Sequence, residues 1–160
     1  MKNEDSKISS NIRHLIQNGE IEEANSLLNH RYTITGLVVH GQALGRELGF
    51  PTANMQLNET YVLPKAGIYV GKAVIQEESS NESQWNVLIS AGYRPTVKGK
   101  DYLIEVHFLD FSGDLYDRTI SVSFLHYLRE EIKFDGLDPL IEQMNLDKLE
   151  AKRILEMDTN

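Results

Sequence analysis

The chain has 160 residues, a hydrophobic share of 41%, a net charge of −8 and no cysteine. The length fits one domain with a small appendage. The acidic charge argues against a nucleic-acid partner and against a polybasic membrane surface, and the missing cysteines exclude disulfides, thiol nucleophiles and cysteine zinc sites. No signal peptide or spanning segment is recognisable, so we expect a soluble cytoplasmic protein without nucleic-acid or membrane partners.

The first part of the chain, residues 1–30, predicts a short helical N-terminal arm. Ser9 or Ser10 is suited to cap a first helix, because a serine hydroxyl can accept a hydrogen bond from a free backbone N–H of the first turn. A second short helix is predicted for Ile21 to Leu28, with its apolar residues on one face. The simplest interpretation is a packing arm against the following domain.

From Tyr32 onward the pattern changes to short, β-branched runs separated by turn residues. The predicted strands are Tyr32–His40, Ile68–Gln76, Trp85–Ser90, Tyr102–Leu109 and Thr119–Tyr127. Gly92 to Gly99 is predicted to be a loop, since it contains Pro95 between two glycines. Such a series predicts a mainly β fold, a small antiparallel sandwich or barrel.

The chain ends in a predicted helix that Asp135 or Asp138 can cap, with Pro139 in its tolerated early position. An apolar stripe runs along it and indicates packing against the sheet. The stripe consists of Leu140, Ile141, Met144, Ala151, Ile154 and Leu155. Strands first and a helix last fit one β-barrel covered by a C-terminal helix.

A glycine-rich stretch from Gly41 to Asn54 is the first candidate functional segment. Its glycines allow sharp bends and close approach to a ligand, and Thr52 and Asn54 then offer a hydroxyl and an amide oxygen. Oxygen donors are those that Mg²⁺ accepts. The stretch is therefore either a phosphate and metal site or a surface loop that closes a hairpin. It is neither a Walker A loop nor a dinucleotide fingerprint.

Glu105 is the second candidate. Alternation places Ile104 and Val106 on one face of a strand and Glu105 on the other. A carboxylate held in mid-strand suits a general base. The pattern alone leaves open whether it is a base or a solvated surface glutamate.

Several segments resemble riboflavin kinase. Gly45-Arg-Glu-Leu-Gly-Phe-Pro-Thr-Ala-Asn54 resembles the family signature with its Pro-Thr-Ala-Asn core, and Glu105-Val-His-Phe-Leu-Asp-Phe resembles the segment with the catalytic glutamate. Leu128-Arg-Glu-Glu-Ile-Lys-Phe-Asp135 is similar to the flavin loop Leu-Arg-Pro-Glu-Lys-x-Phe-Asp. Ser90-Ala-Gly-Tyr-Arg-Pro-Thr96 is similar to an Asn-x-Gly-x-x-Pro-Thr loop. The resemblance extends over about residues 32–155.

The chain departs from these patterns at three positions. Glu130 replaces the proline of the flavin loop, Ile132 stands where a lysine is common, with Lys133 one place along, and Ser90 replaces the asparagine. These departures bear on flavin affinity and loop stiffness more than on the chemistry.

The resemblance implies a Greek-key β-barrel that transfers the γ-phosphate of ATP to the 5′-hydroxyl of riboflavin, giving FMN and ADP. It implies Glu105 as general base and Mg²⁺ at Thr52 and Asn54, with Zn²⁺ and Mn²⁺ as alternative metals. The implied nucleotide residues are Gly41, Gly45, Arg46, Gly49, Phe108, Asp110 and Tyr116. The implied flavin residues are Arg129, Lys133 and Phe134. Core packing is the alternative for Phe108 and Tyr116.

The arm also has a family counterpart. Ile8-Ser-Ser-Asn-Ile-Arg13 resembles a shortened Ser-Ser-Thr-x-Ile-Arg motif near the end of the adenylyltransferase domain of bifunctional riboflavin kinase/FAD synthetases. We therefore expect residues 1–30 to be a vestige of a linker and residues 31–160 to be the kinase domain. The adenylyltransferase domain is not recognisable in this sequence, so we expect that this chain does not make FAD. A separate FAD synthetase is a candidate partner.

Two other classes of function stay open. The altered flavin loop and the vestigial arm would also fit a flavin-binding regulatory module with little or no turnover, although Thr52, Asn54 and Glu105 are intact. An oligonucleotide-binding barrel is disfavoured by the acidic charge and by the lack of a basic aromatic stripe. An assay of FMN formation distinguishes the regulatory module from the kinase. A salt-dependent gel shift with an oligonucleotide would support the oligonucleotide-binding barrel.

Overall fold

The computed structural model describes residues 8–39, 52–76, 82–96, 99–110, 115 and 117–158, with the backbone alone at 52, 95, 96, 157 and 158. Three helices and six strands lie in these ranges. In chain order they are α1 Ser10–Gln17, α2 Ile21–Leu28, β1 Tyr32–Val39, β2 Thr52–Leu57, β3 Gly67–Gln76, β4 Glu82–Thr96, β5 Gly99–Phe108, β6 Thr119–Arg129 and α3 Leu137–Asp158. None of these helices is long and apolar enough to cross a membrane.

The six strands form a closed antiparallel barrel in the order β1-β2-β5-β4-β3-β6. Strands β3, β4 and β5 are consecutive hairpin neighbours, and β6 returns to lie beside β3, which is the Greek-key arrangement. Gly36 and Gly71 lie where strands approach closely. A Cβ on Gly36 would collide with the carbonyl of Gln56, and one on Gly71 would collide with the carbonyl of Ser123. The predicted mainly β barrel with a C-terminal helix and a helical arm is confirmed.

The barrel interior is filled by the apolar residues that alternate along the strands. Ile120, Val122 and Phe124 are fully buried, whereas Ser121 and Ser123 lie on the outer face. Their hydroxyls pair with those of Thr35 at 2.8 Å and Thr33 at 2.9 Å. Ile104, Val106 and Phe108 belong to the same interior cluster. The faces predicted for β5 and β6 are therefore confirmed.

The N-terminal arm packs onto the barrel. Ser9 caps α1 by accepting a hydrogen bond from the backbone N–H of Ile12 at 3.3 Å. Ile16 and Ile21 are buried in the same cluster as the barrel interior. Asn25 joins the arm to two strands, since its amide donates to the carbonyl of Phe124 at 2.8 Å and its side-chain oxygen accepts from the N–H of Tyr32 at 2.7 Å.

Helix α3 covers part of the outer face of the barrel. Met144, Ala151 and Leu155 are buried there, and the other residues of the predicted stripe pack against the same cluster. Beneath the helix lie Val70, Leu88 and Leu125 of the strands and Leu109, which directly follows β5. The helix begins at Leu137, so Asp138 lies in the first turn and not at the cap. A negative charge in the first turn is favourable to the helix.

Two features of the sheet were not predicted. Strand β2 was interpreted only as a ligand-bearing segment, although Ala53 and Met55 alternate inward. The prediction of a loop from Gly92 to Gly99 was wrong, since strand β4 continues to Thr96. Pro95 is tolerated in this strand because it lies next to the hairpin end, at the margin of the strand.

Candidate active site

The predicted base and one predicted metal ligand lie side by side on the outer face of the barrel. Asn54 of β2 is the direct antiparallel partner of Glu105 of β5, and Ser90 of β4 is the partner of Glu105 on its other side. Directly opposed residues point to the same face with Cβ atoms about 5 Å apart. Since Val106 faces the interior, the three polar side chains form one row outside it.

Arg94 lies beside this row. Its Nε is 3.4 Å from Glu105 Oε1, and one terminal nitrogen is 2.7 Å from Glu131 Oε1. The same terminal nitrogen donates to Ser90 Oγ at 3.0 Å. One guanidinium therefore contacts two carboxylates and a hydroxyl, which its fixed fork of five N–H donors permits.

Glu105 is held in conditions that favour proton acceptance. Its side chain is 24% exposed, and this burial is the main reason why its pKa is raised above the usual range. Arg94 acts in the opposite direction and lowers the pKa, whereas the nearby charge of Glu131 raises it. The result is a carboxylate that is more basic than one in water.

His107 follows Glu105 on the same face of β5. Its backbone pairs with that of Thr52 on one side and with Leu88 on the other. Burial lowers the pKa of His107 to about 4, while the charge of Asp147 partly opposes the shift. His107 is therefore neutral at pH 7.

Arg129, predicted to contact the flavin, forms a two-pronged ion pair with Asp147 of α3. Its Nε donates to Asp147 Oδ1 at 2.9 Å and a terminal nitrogen donates to Oδ2 at 2.7 Å. Gln143 also donates to Oδ1 at 3.0 Å. Asp147 is only 4% exposed. In this arrangement Arg129 fastens the end of β6 to α3, and its contact with flavin stays a prediction.

The remaining described candidates lie at separate places. Phe108 is fully buried in the barrel interior, which agrees with the alternative of core packing. Asp110 is exposed and pairs with Lys148 at 3.5 Å and Lys152 at 3.4 Å. The hydrogen bond from Lys152 is the main cause of its lowered pKa.

The segment between β6 and α3 contains the other flavin candidates. Lys133 is exposed and Phe134 is partly buried. The two departures from the family loop, Glu130 and Ile132, are also exposed. A change of residue at these two positions therefore alters the surface of the loop more than its packing.

Several predicted residues lie outside the described part of the chain. They are Gly41, Gly45, Arg46, Gly49 and Tyr116, and at Thr52 only the backbone is described. The nucleotide and metal assignments of these residues stay predictions.

A cleft of about 450 Å³ lies away from Glu105, between the arm, the 61–66 segment and the β4–β5 hairpin. Tyr93 and Tyr102 stack edge to face in its wall, with ring centroids 5.2 Å apart. The lining residues are Arg13, Gln17, Tyr61, Val62, Leu63, Pro64, Ala66, Tyr93 and Tyr102. None of the predicted site residues is among them.

Sequence reasoning missed Arg94, Glu131 and Asp147. A strand extended beyond Ser90 would have placed Arg94 on the outer face at a spacing of four residues. No local signal places Glu131 or Asp147 near the site, because both reach it through the packing of elements distant in the chain.

Comparisons with a family model and with curated relatives point to the same family. A family model described as "Flavokinase: Riboflavin kinase" matches residues 28–155. The chain is 42% identical over 154 residues to a bifunctional riboflavin kinase/FMN adenylyltransferase of Bacillus subtilis, covering 94% of this chain and 47% of that protein. The chain thus spans about half the length of the curated relatives it matches.

Two solved structures are also similar. One is titled a macrolide-efflux protein from Streptococcus pneumoniae, with 36% identity and a TM-score of 0.81, covering 91% of this chain and 46% of that chain. The other is riboflavin kinase from Trypanosoma brucei, with 24% identity and a TM-score of 0.54, covering 78% and 79% of the two chains. The second likeness concerns the fold alone.

Proposed function

The chain belongs to the riboflavin kinase family, and from this premise we propose that it transfers the γ-phosphate of ATP to the 5′-hydroxyl of riboflavin, giving FMN and ADP. The observation that supports this activity best is the opposed pair of Asn54 and Glu105. It brings a candidate metal ligand and a candidate base to adjoining positions, as a phosphoryl transfer to a hydroxyl requires.

Glu105 accepts the proton of the riboflavin hydroxyl in the proposed mechanism. Phosphoryl transfer leaves a protein mainly the tasks of positioning and charge stabilisation. Mid-strand residues suit the first task, since Glu105 has paired strands on both sides. The reaction also needs a base that can take up the hydroxyl proton as the new bond forms. The raised pKa of Glu105 makes its carboxylate such a base.

The chemistry of the two proposed ligands fits a hard cation. Asn54 supplies an amide oxygen and Thr52 a hydroxyl, which are the oxygen ligands that Mg²⁺ accepts. Zn²⁺ prefers nitrogen and sulfur ligands, so we propose Mg²⁺, with Mn²⁺ as the nearer alternative. When bound, the cation supplies charge neutralisation at the ATP phosphates.

We further propose which residues contact each substrate. The proposed nucleotide residues are Gly41, Gly45, Arg46, Gly49, Asp110 and Tyr116. Phe108 is assigned to the core instead, because it is fully buried in the barrel interior. The proposed flavin residues are Arg129, Lys133 and Phe134, at the end of β6 and in the segment before α3. The division into an arm, residues 1–30, and a kinase domain, residues 31–160, and a cytoplasmic location belong to the same proposal.

A turnover assay tests the proposed function. Purified protein is incubated with riboflavin, ATP and Mg²⁺, and FMN is resolved by chromatography with and without the metal. Metal-dependent FMN supports the kinase. Flavin binding without FMN would favour the regulatory module instead, and the absence of both FMN and flavin binding would refute the proposal.

A further inference from the structure

The side chain of Arg94 crosses the outer face of β4 toward Glu105. Ser90, Gly92 and Arg94 alternate onto that face, and the guanidinium reaches back over Gly92 to donate to Ser90 Oγ at 3.0 Å. Another of its terminal nitrogens donates to the carbonyl of Tyr93 at 3.1 Å. The guanidinium is therefore fixed by its own strand before it meets either carboxylate.

Gly92 makes room for this arrangement. A Cβ at position 92 would lie 2.6 Å from Glu131 Oε1, a separation that real Cβ atoms do not tolerate. The absence of a side chain thus lets the Glu131 carboxylate lie over β4 and reach Arg94 at 2.7 Å. The guanidinium of Arg94 therefore joins Glu131, in the segment that follows β6, to the candidate base Glu105.

The contact between Arg94 and Glu105 orients the carboxylate without occupying both of its oxygens. At 3.4 Å from Arg94 Nε, Glu105 Oε1 forms an ion pair that is longer than a strong hydrogen bond. The pairing of Oε1 with the guanidinium leaves the lone pairs of the other carboxylate oxygen for proton acceptance.

These contacts are not implied by the family resemblance. Position 94 falls at one of the unspecified positions of the Asn-x-Gly-x-x-Pro-Thr pattern, and Ser90 stands where the pattern has asparagine. The serine hydroxyl accepts the hydrogen bond from Arg94. The two residues therefore form one local arrangement on β4.

We propose that Arg94, held by Ser90 and Glu131 above Gly92, is a positioning residue that orients the Glu105 carboxylate for proton acceptance. This inference rests on the proposed riboflavin kinase activity. It links the loop after β6 to the base, so that the position of that loop affects the reaction and not only flavin binding.

The test compares Arg94→Met, which removes the charge, with Arg94→Lys, which keeps the charge and loses the fork. The control is Arg153→Met, which breaks an exposed ion pair with Glu150 on α3. Each variant is assayed for kcat and for the KM of riboflavin and of ATP, and its folding is checked by a thermal melt. The wild type is assayed first: if it forms no FMN, the proposed function fails, which is distinct from a failure of the Arg94 assignment.

With an active wild type, we expect Arg94→Met to lower kcat by about 10- to 100-fold, as misplaced catalytic groups do. Both KM values stay within about two-fold, because only an interaction used in the transition state is lost. Arg94→Lys is intermediate, and Arg153→Met equals the wild type. A loss of kcat below about three-fold, or a rise in the riboflavin KM without a loss of kcat, would overturn the assignment. If Arg94→Met does not fold, Arg94→Lys is judged by the same thresholds.

Discussion

Asn54 and Glu105 occupy directly opposed positions on strands β2 and β5, on the outer face of the barrel. Neither residue can shift along its strand without a change of register, and a shift by one position would turn its side chain into the interior. The relative placement of the candidate base and the candidate metal ligand is therefore a property of the sheet itself.

Removing the basicity of Glu105 should abolish most turnover while leaving binding intact. Glu105→Gln keeps the size of the side chain, and we expect kcat to fall by about 10²- to 10⁴-fold, the usual contribution of a general base. Riboflavin affinity, measured by fluorescence titration, should stay near that of the wild type. Glu142→Gln, on the exposed face of α3, is the control. Near-normal turnover of Glu105→Gln would remove this residue from the mechanism.

Asn54 should set the metal requirement. Asn54→Leu removes the amide oxygen, and we expect the Mg²⁺ concentration for half-maximal rate to rise by about 10-fold or more, a magnitude typical of disturbed metal sites. Gln56→Leu is the matched control, since Gln56 is exposed and lies two positions along the same strand. Equal metal titrations for the two variants would contradict the assignment.

The Arg129–Asp147 ion pair should contribute to stability. Asp147→Ala leaves a largely buried guanidinium without its carboxylate, and we expect a loss of about 3 kcal/mol in the free energy of unfolding. Denaturant unfolding measures the loss. Glu150→Ala removes an exposed partner of Arg153 and should change little. If both variants unfold alike, Arg129 is not held mainly by this pair.

His107 should make the fold sensitive to acid. Its pKa is about 4 in the folded chain, against about 6.5 when unfolded, so between these values the unfolded chain binds more protons. The stability due to neutral His107 is complete above pH 6.5 and is lost as the pH falls toward 4.

Denaturant unfolding of the wild type and of His107→Gln at pH 7 and pH 4.5, in metal-free buffer, measures this effect. We expect the stability difference between the two proteins to shift by on the order of 2 kcal/mol in favour of the variant at the lower pH. His30→Gln serves as control because His30 is exposed. A pH-independent difference would show that the His107 pKa is not lowered.

The sequence predicted the fold where alternation was long. Ile120, Val122 and Phe124 define β6 without ambiguity, and Ile104 and Val106 do the same for β5. Strand β2 escaped prediction because its alternation is brief and its polar Asn54 and Thr52 suggested a loop with ligands. Short strands depend on their neighbours more than on their own residues.

The candidate site could be identified from the sequence only where its residues lie in recognisable local motifs. Glu105 and Asn54 were identified from segments, and the sheet register then placed them together. The link from Arg94 to Glu131 could not be predicted, because it joins residues on β4 and after β6 whose approach depends on the Greek-key return of β6 beside β3. The pairing of Arg129 with Asp147 could not be predicted for the same reason, because it depends on the packing of α3 against the barrel.

The pairing of β6 with both β1 and β3 also sets the order in which the chain can fold. Tyr32 at the start of β1 pairs with Phe124, and Asn25 of the arm donates to the same strand. During synthesis, the contacts of Asn25 and of β1 with β6 cannot form until β6 has left the ribosome. Contacts of such large sequence separation form slowly, because the entropy of closing the long intervening segment is lost before they can form. The nascent barrel thus stays open, with unpaired strand edges, for most of its translation.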